Sequence, residues 1–72
     1  MDAKKIGSYI AKKRKEQSMS QRELAQHLHI TDKAISKWER GLSFPDITIL
    51  VPLSKLLNIS LYDLLTGGCE DE

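Results

Sequence analysis

Cysteine occurs once, at Cys69, in a chain of 72 residues. No internal disulfide can form, which excludes the disulfide-stapled miniproteins common at this length. Proline occurs twice and glycine four times, and no repeat, low-complexity segment or Gly-rich phosphate loop is present. No apolar run reaches the roughly 18 residues that a membrane-spanning helix needs. The opening MDAKKIGSYIAKKRKEQ has basic residues but no apolar centre, so it does not read as a signal peptide. The expected location is therefore cytoplasmic. Short segments of alternating apolar and polar residues, the mark of half-buried strands, are missing as well. Size sets a further bound. A chain this short buries only about 60% of its unfolded surface, with an expected radius of gyration of roughly 11 Å. That leaves no room for a deep catalytic cleft beside a packed core, and no acid–base constellation is evident. The chain is not expected to be an enzyme.

What the chain does hold is ordinary for a soluble globular domain: 40% hydrophobic and 29% charged residues. The net charge of +1 conceals an asymmetry. Residues 1–40 carry ten basic side chains and five acidic ones, whereas residues 41–72 carry Lys55 against five acidic ones. Such a split points to a polyanionic partner for the first half.

Apolar residues recur at spacings of three and four, the helical period. Ile6 and Ile10 begin the first stripe, giving a helix over about 4–17. Ser20 and Glu23 form a capping-box pattern that starts a second helix over 21–28. Thr31 is the next N-cap, with Asp32 placed well for the helix dipole. That third helix runs over 32–40, and Gly41 suits the left-handed position beyond it. Asp46 opens an apolar stretch over 47–57 with a break near Pro52. Proline removes a donor and clashes inside a helix, so the main helix is expected from Pro52 to Leu57, with a kinked continuous helix as the alternative. Ser60 caps a last helix over 61–65. The reading is all-α, with one domain over 1–66 and an acidic flexible tail over 67–72.

Gln21 to Arg40 carries the functional signal. Two short helices joined by about three residues need a small side chain where they touch, and Ala25 supplies one. Leu24, Leu28, Ile30, Ile35 and Trp38 fall on inner faces. This is a helix-turn-helix layout, whose second helix can enter a major groove. At about 100° per residue, Ile35 and Trp38 fix the buried direction of that helix. Asp32, Lys33, Ser36, Lys37 and Arg40 then face outward. Lys can donate to guanine, Asp can accept from cytosine, and Ser suits either. The free N–H groups at the helix N-terminus suit phosphate.

The ordered set Ile6-Gly7…Ile10, Arg14, Ser20-Gln21-x-Glu23-Leu24-Ala25, Ile30-Thr31, Ala34-Ile-Ser-Lys-Trp-Glu-Arg-Gly41, Pro45-Asp46, Leu53…Leu56-Leu57-Asn58-Ile59-Ser60 and Leu64-Leu65 resembles the lambda-repressor-like, Cro-type and Xre-like family. That family comprises phage repressors and bacterial regulators. The resemblance implies a compact five-helix DNA-binding domain. It places Asp32, Lys33 and Lys37 where bases are read, and Gln21 where a side chain touches the DNA backbone and braces the recognition helix. It also implies a partly buried ion pair between Arg14 and Glu39. The family usually has glycine where this chain has His29, so His29 is expected at positive φ with modest strain.

The function these readings imply is sequence-specific binding of double-stranded DNA by a transcriptional repressor of bacterial or phage origin, associated with the nucleoid. Asp32, Lys33, Ser36 and Lys37 are expected to read bases. Gln21, Thr31, Arg40, Ser43 and Lys13 are expected on the backbone. So small a module is expected to act as a homodimer on two half-sites, with exposed apolar residues around Ile59–Tyr62 as the candidate contact. The alternative is a protein-interaction module such as an antitoxin or adaptor. Plainer readings cover the rest. Trp38 is core. His27 and His29, two apart on a helix, cannot share a metal ion. Cys69 beside acidic residues is disfavoured as a nucleophile. No cofactor, metal or small-molecule ligand is expected.

Overall fold

Among the described residues, every helix begins at a side chain that takes up backbone N–H groups left free by the first turn. The computed structural model describes residues 2–68. It contains α1 (Ala3–Glu16), α2 (Gln21–Leu28), α3 (Asp32–Glu39), α4 (Ile47–Leu57) and α5 (Leu61–Thr66), with no strand among the described residues. Asp2 accepts from the N–H groups of Lys4 and Lys5 at the head of α1. Ser20 and Glu23 form a reciprocal capping box on α2. Thr31, Asp46 and Ser60 cap α3, α4 and α5. Cys69 and the acidic Glu70, Asp71 and Glu72 lie outside the described residues.

The helices also end alike. The residue beyond each last turn is left-handed, at Ser18, His29, Gly41, Asn58 and Gly67. The two N–H groups there return to the helix, as from Ser18 to Lys15 and from Met19 to Arg14. This pair of hydrogen bonds satisfies carbonyls that would otherwise lack partners. Only two of the five positions are glycine. His29, at φ 58° and ψ 42°, adopts the conformation that the turn demands without the residue that adopts it freely.

One core joins all five helices. Ile6 and Ile10 of α1 meet Leu24, Ala25 and Leu28 of α2, Ile35 and Trp38 of α3, Leu53 and Leu57 of α4, and Leu64 of α5. The Cα radius of gyration is 10.9 Å. At one crossing there is no room for any side chain: a Cβ on Gly7 would lie 1.9 Å from the Trp38 carbonyl oxygen. Gly7 thus lets α1 lie directly against the C-terminal end of α3.

Pro52 does not break α4. The helix is continuous from Ile47 to Leu57 with Pro52 in its sixth position, so the expected start of the main helix at Pro52 is incorrect and the continuous alternative is the one formed. Pro52 and Thr48 are both exposed, so water can reach the Thr48 carbonyl that proline cannot serve. Meanwhile Leu53 and Leu57, both fully buried, anchor the opposite side. Burial of two leucines, each worth about 1.5–3 kcal/mol, offsets one interior proline at about 3 kcal/mol.

Candidate nucleic-acid interface

Three residues, His29, Ile30 and Thr31, separate α2 from α3. The left-handed turn at His29 sends the Ile30 N–H back to the Ala25 carbonyl at 3.0 Å. Ile30 packs partly against the core. Thr31 then starts α3, its Oγ1 accepting from the Ala34 N–H at 3.2 Å. Acceptance leaves the hydroxyl proton of Thr31 free to be donated outward.

The buried side of α3 is Ile35 and Trp38. Asp32, Lys33, Lys37 and Arg40 are exposed and Ser36 is half-buried, which brings the outward-facing set together on one helix. Lys33 and Lys37 stand one turn apart on that face. Arg40 folds back, its Nε donating to the Ser36 carbonyl at 3.4 Å. Ser43 is half-buried in the loop after α3.

The rest of the predicted set plays a different part. Arg14 is 8% exposed and makes a two-point ion pair with Glu39, Nε to Oε2 at 2.7 Å and Nη2 to Oε1 at 3.0 Å. Its Nη1 donates to the Met19 carbonyl at 2.8 Å. Gln21 Nε2 donates to Glu39 Oε1 at 2.9 Å. The Glu39 carboxylate therefore ties α3 to α1 and to the first residue of α2, and Arg14 adds the turn between those two helices. Gln21 keeps its amide oxygen and backbone for other contacts, but its amide nitrogen is committed to Glu39. Lys13 stands apart on α1. It pairs with Glu16 at 3.1 Å and lies 5.6 Å from the centre of the Tyr9 ring. Donation of a hydrogen bond to the Glu16 carboxylate, and then the charge of that carboxylate, hold the Lys13 pKa above its ordinary value.

Sequence reasoning missed two positioning features. Gly7 is the only glycine within a helix among the described residues, a signal of close backbone approach that was readable but not read. The Met19 carbonyl left no signal, because a backbone acceptor carries no residue type.

The chain matches the helix-turn-helix family over residues 10–64. It is 42% identical over 62 residues to the transcriptional regulator DicA of Escherichia coli, covering 86% of this chain and 46% of DicA. It is 36% identical over 50 residues to the transcriptional activator BcrR of Enterococcus faecalis, covering 69% of this chain and 24% of BcrR. The chain thus spans 24% to 46% of these relatives' lengths. Among solved structures, the P22 c2 repressor in complex with a synthetic operator superposes with a TM-score of 0.82 at 35% identity, over 86% of this chain and 94% of that one. With the turn at His29, the outward row on α3 and the match over residues 10–64 in hand, the chain belongs to the helix-turn-helix family.

Proposed function

We propose that this chain is a sequence-specific regulator of transcription that inserts α3 into the major groove of double-stranded DNA, and that it represses. The observation that carries the reading is the outward row Asp32, Lys33, Ser36 and Lys37 on a helix held rigidly from behind by Arg14, Glu39 and Gln21. A major groove about 12 Å wide admits such a helix, and these side chains supply both donors and acceptors for base edges. Thr31, Arg40, Ser43, Gln21 and Lys13 fix the register on phosphates. Likeness to a repressor solved in complex with a synthetic operator supports double-stranded DNA as the partner. The domain is residues 1–66, working as a homodimer in the cytoplasm on the nucleoid.

Selection of bound sites from a random duplex library tests this. The expected product is a two-fold symmetric site with half-site centres about 34 Å apart. Placed over a promoter, that site lowers reporter output when the protein is present. Absence of binding to any duplex at micromolar protein and low salt would instead favour the protein-interaction module.

A further inference from the structure

Apart from the outward row on α3, the domain has a second cationic surface. An open groove of about 470 Å³ runs along the outer side of α1 and meets the end of α5 at one edge. Lys4, Ser8 and Lys12 stand at successive turns of α1 and form one row along it. Lys5 and the half-buried Tyr9, again one turn apart, form the next. The α5 edge is bare backbone, Gly67 and Gly68. A Cβ on Gly67 would lie 2.9 Å from the Lys5 carbonyl carbon, and one on Gly68 would lie 2.3 Å from Tyr9 Cε1. No side chain can therefore stand between that edge and α1. Gly67 alone supplies the left-handed turn that ends α5. Gly68 adds a second left-handed residue, at φ 71°, which the cap does not require. Among the described residues that line the groove there is no carboxylate. Asp2, at the head of the same helix, spends its carboxylate on the N–H groups of Lys4 and Lys5. Glu16 pairs with Lys13 outside the groove.

We infer that this groove is a binding site for a nucleoside polyphosphate. Its volume falls in the range of small-molecule sites. Lys4 and Lys12 are separated by about 12 Å of helix, with Lys5 between them in sequence. Each of the three is exposed, and an exposed ion pair contributes little by itself. A ligand with one carboxylate or one phosphate satisfies too few of them. A chain of phosphates meets all three at once, so that the weak contacts act together, and lysine serves phosphate as a point charge. The other lining residues suit the nucleoside. A flat base can lie against the Tyr9 ring and against the peptides of Gly67 and Gly68, because glycine lets backbone approach a ligand closely. The Ser8 hydroxyl both donates and accepts, which suits a ribose or phosphate oxygen. The site is separate from the surface that faces DNA in the reading above. At about 100° per residue, the centre of the groove lies about 130° around α1 from Gly7, where α3 crosses. No lining residue belongs to the α3 row, so the inference stands apart from the DNA-binding reading.

The test is calorimetric titration of the full chain with ATP, AMP and inorganic triphosphate, in the presence of a chelator. One equivalent of ATP is expected to bind, about 10-fold more tightly than AMP, which offers fewer charges. It is also expected to bind about 10-fold more tightly than triphosphate, which has no base to stack. The double variant Lys5→Ala/Lys12→Ala is expected to weaken ATP binding by about 10-fold or more. Arg22→Ala/Lys55→Ala removes the same charge elsewhere and is expected to stay within about 2-fold of wild type. Ser8→Glu puts a carboxylate between Lys4 and Lys12 and is expected to abolish measurable binding. All five positions are exposed, and Ala and Glu are good helix formers, so thermal melting should be preserved in each variant. No binding of ATP, undiminished binding in the Lys5/Lys12 variant or in Ser8→Glu, an equal loss in the control pair, or triphosphate binding as tightly as ATP each overturns the inference. So does displacement of bound ATP by an equimolar short duplex, which would assign these lysines to DNA phosphates instead.

Discussion

The Glu39 carboxylate accepts two N–H groups from Arg14 and one from Gln21. A charge this enclosed is tolerable only while its partner is present. Replacing Glu39 with Leu leaves the Arg14 guanidinium uncompensated, at an expected cost of about 3–5 kcal/mol. A domain of this size has roughly 3–5 kcal/mol in total, so the variant should be largely unfolded in urea titrations. The double variant Arg14→Met/Glu39→Leu should regain most of the loss, since an apolar pair of similar volume often equals a buried ion pair. A single variant within 1 kcal/mol of wild type would show that the pair does not hold α3. Asp46 acts at the surface and through pH. The Thr48 hydroxyl, and then the Thr48 N–H, hold its carboxyl below the ordinary value of 3.8. A carboxyl lowered on folding stabilises the fold above its unfolded value, and that stabilisation is lost as pH falls through the folded value. Below about pH 4, the melting temperature of wild type should therefore drop more steeply than that of Asp46→Asn, which keeps a capping side chain without the titration. Parallel acid limbs would contradict this.

At the scale of helices, α4 is where local preference and packing disagree. Pro52 sits in the interior of a helix that Asp46 caps and that Leu53 and Leu57 anchor. Pro52→Ala restores the missing N–H and should stabilise the domain by about 1–2 kcal/mol, after the greater freedom of the unfolded chain is subtracted. Equilibrium unfolding measures it, and a loss of stability would show that the proline is needed for the path of α4. The same helix explains what could be read in advance. Ser20, Thr31 and Ser60 announce helix starts because a hydroxyl before an apolar stripe has a local role. Gly41 announces an end because only its backbone adopts the turn freely. Whether α4 survives Pro52 depends on leucines meeting residues from other helices, and that information is not local. The site divides similarly. The outward row on α3 follows from periodicity, since Ile35 and Trp38 fix the buried side. The pairing of Arg14 with Glu39 spans 25 positions in sequence and was legible only through resemblance. The bond from Arg14 to the Met19 carbonyl was not legible at all.

For the whole molecule, a net charge of +1 would be a poor footprint for a DNA-binding protein if charge were spread evenly. The charge is segregated along the chain instead, with Arg22, Lys33, Lys37 and Arg40 exposed on and beside the helix-turn-helix while residues 41–68 add only Lys55 in basic charge. Two of these cations should then behave differently. Lys37 lies mid-helix on the outward row, and in the proposed complex its ammonium would donate to guanine O6 or N7. Arg40 sits at the end of α3, its Nε already donating to the Ser36 carbonyl, and in the proposed complex its remaining guanidinium nitrogens would serve a phosphate rather than a base. Lys37→Ala should therefore narrow the gap between a selected site and one mutated at a single guanine, by about 1–3 kcal/mol. Arg40→Ala should weaken both duplexes equally and reduce the slope of log K against log salt by about 1. Titrations at several salt concentrations with both duplexes separate the two. Equal loss of discrimination from both substitutions would mean that α3 does not lie in the groove along the face formed by Asp32, Lys33, Ser36 and Lys37.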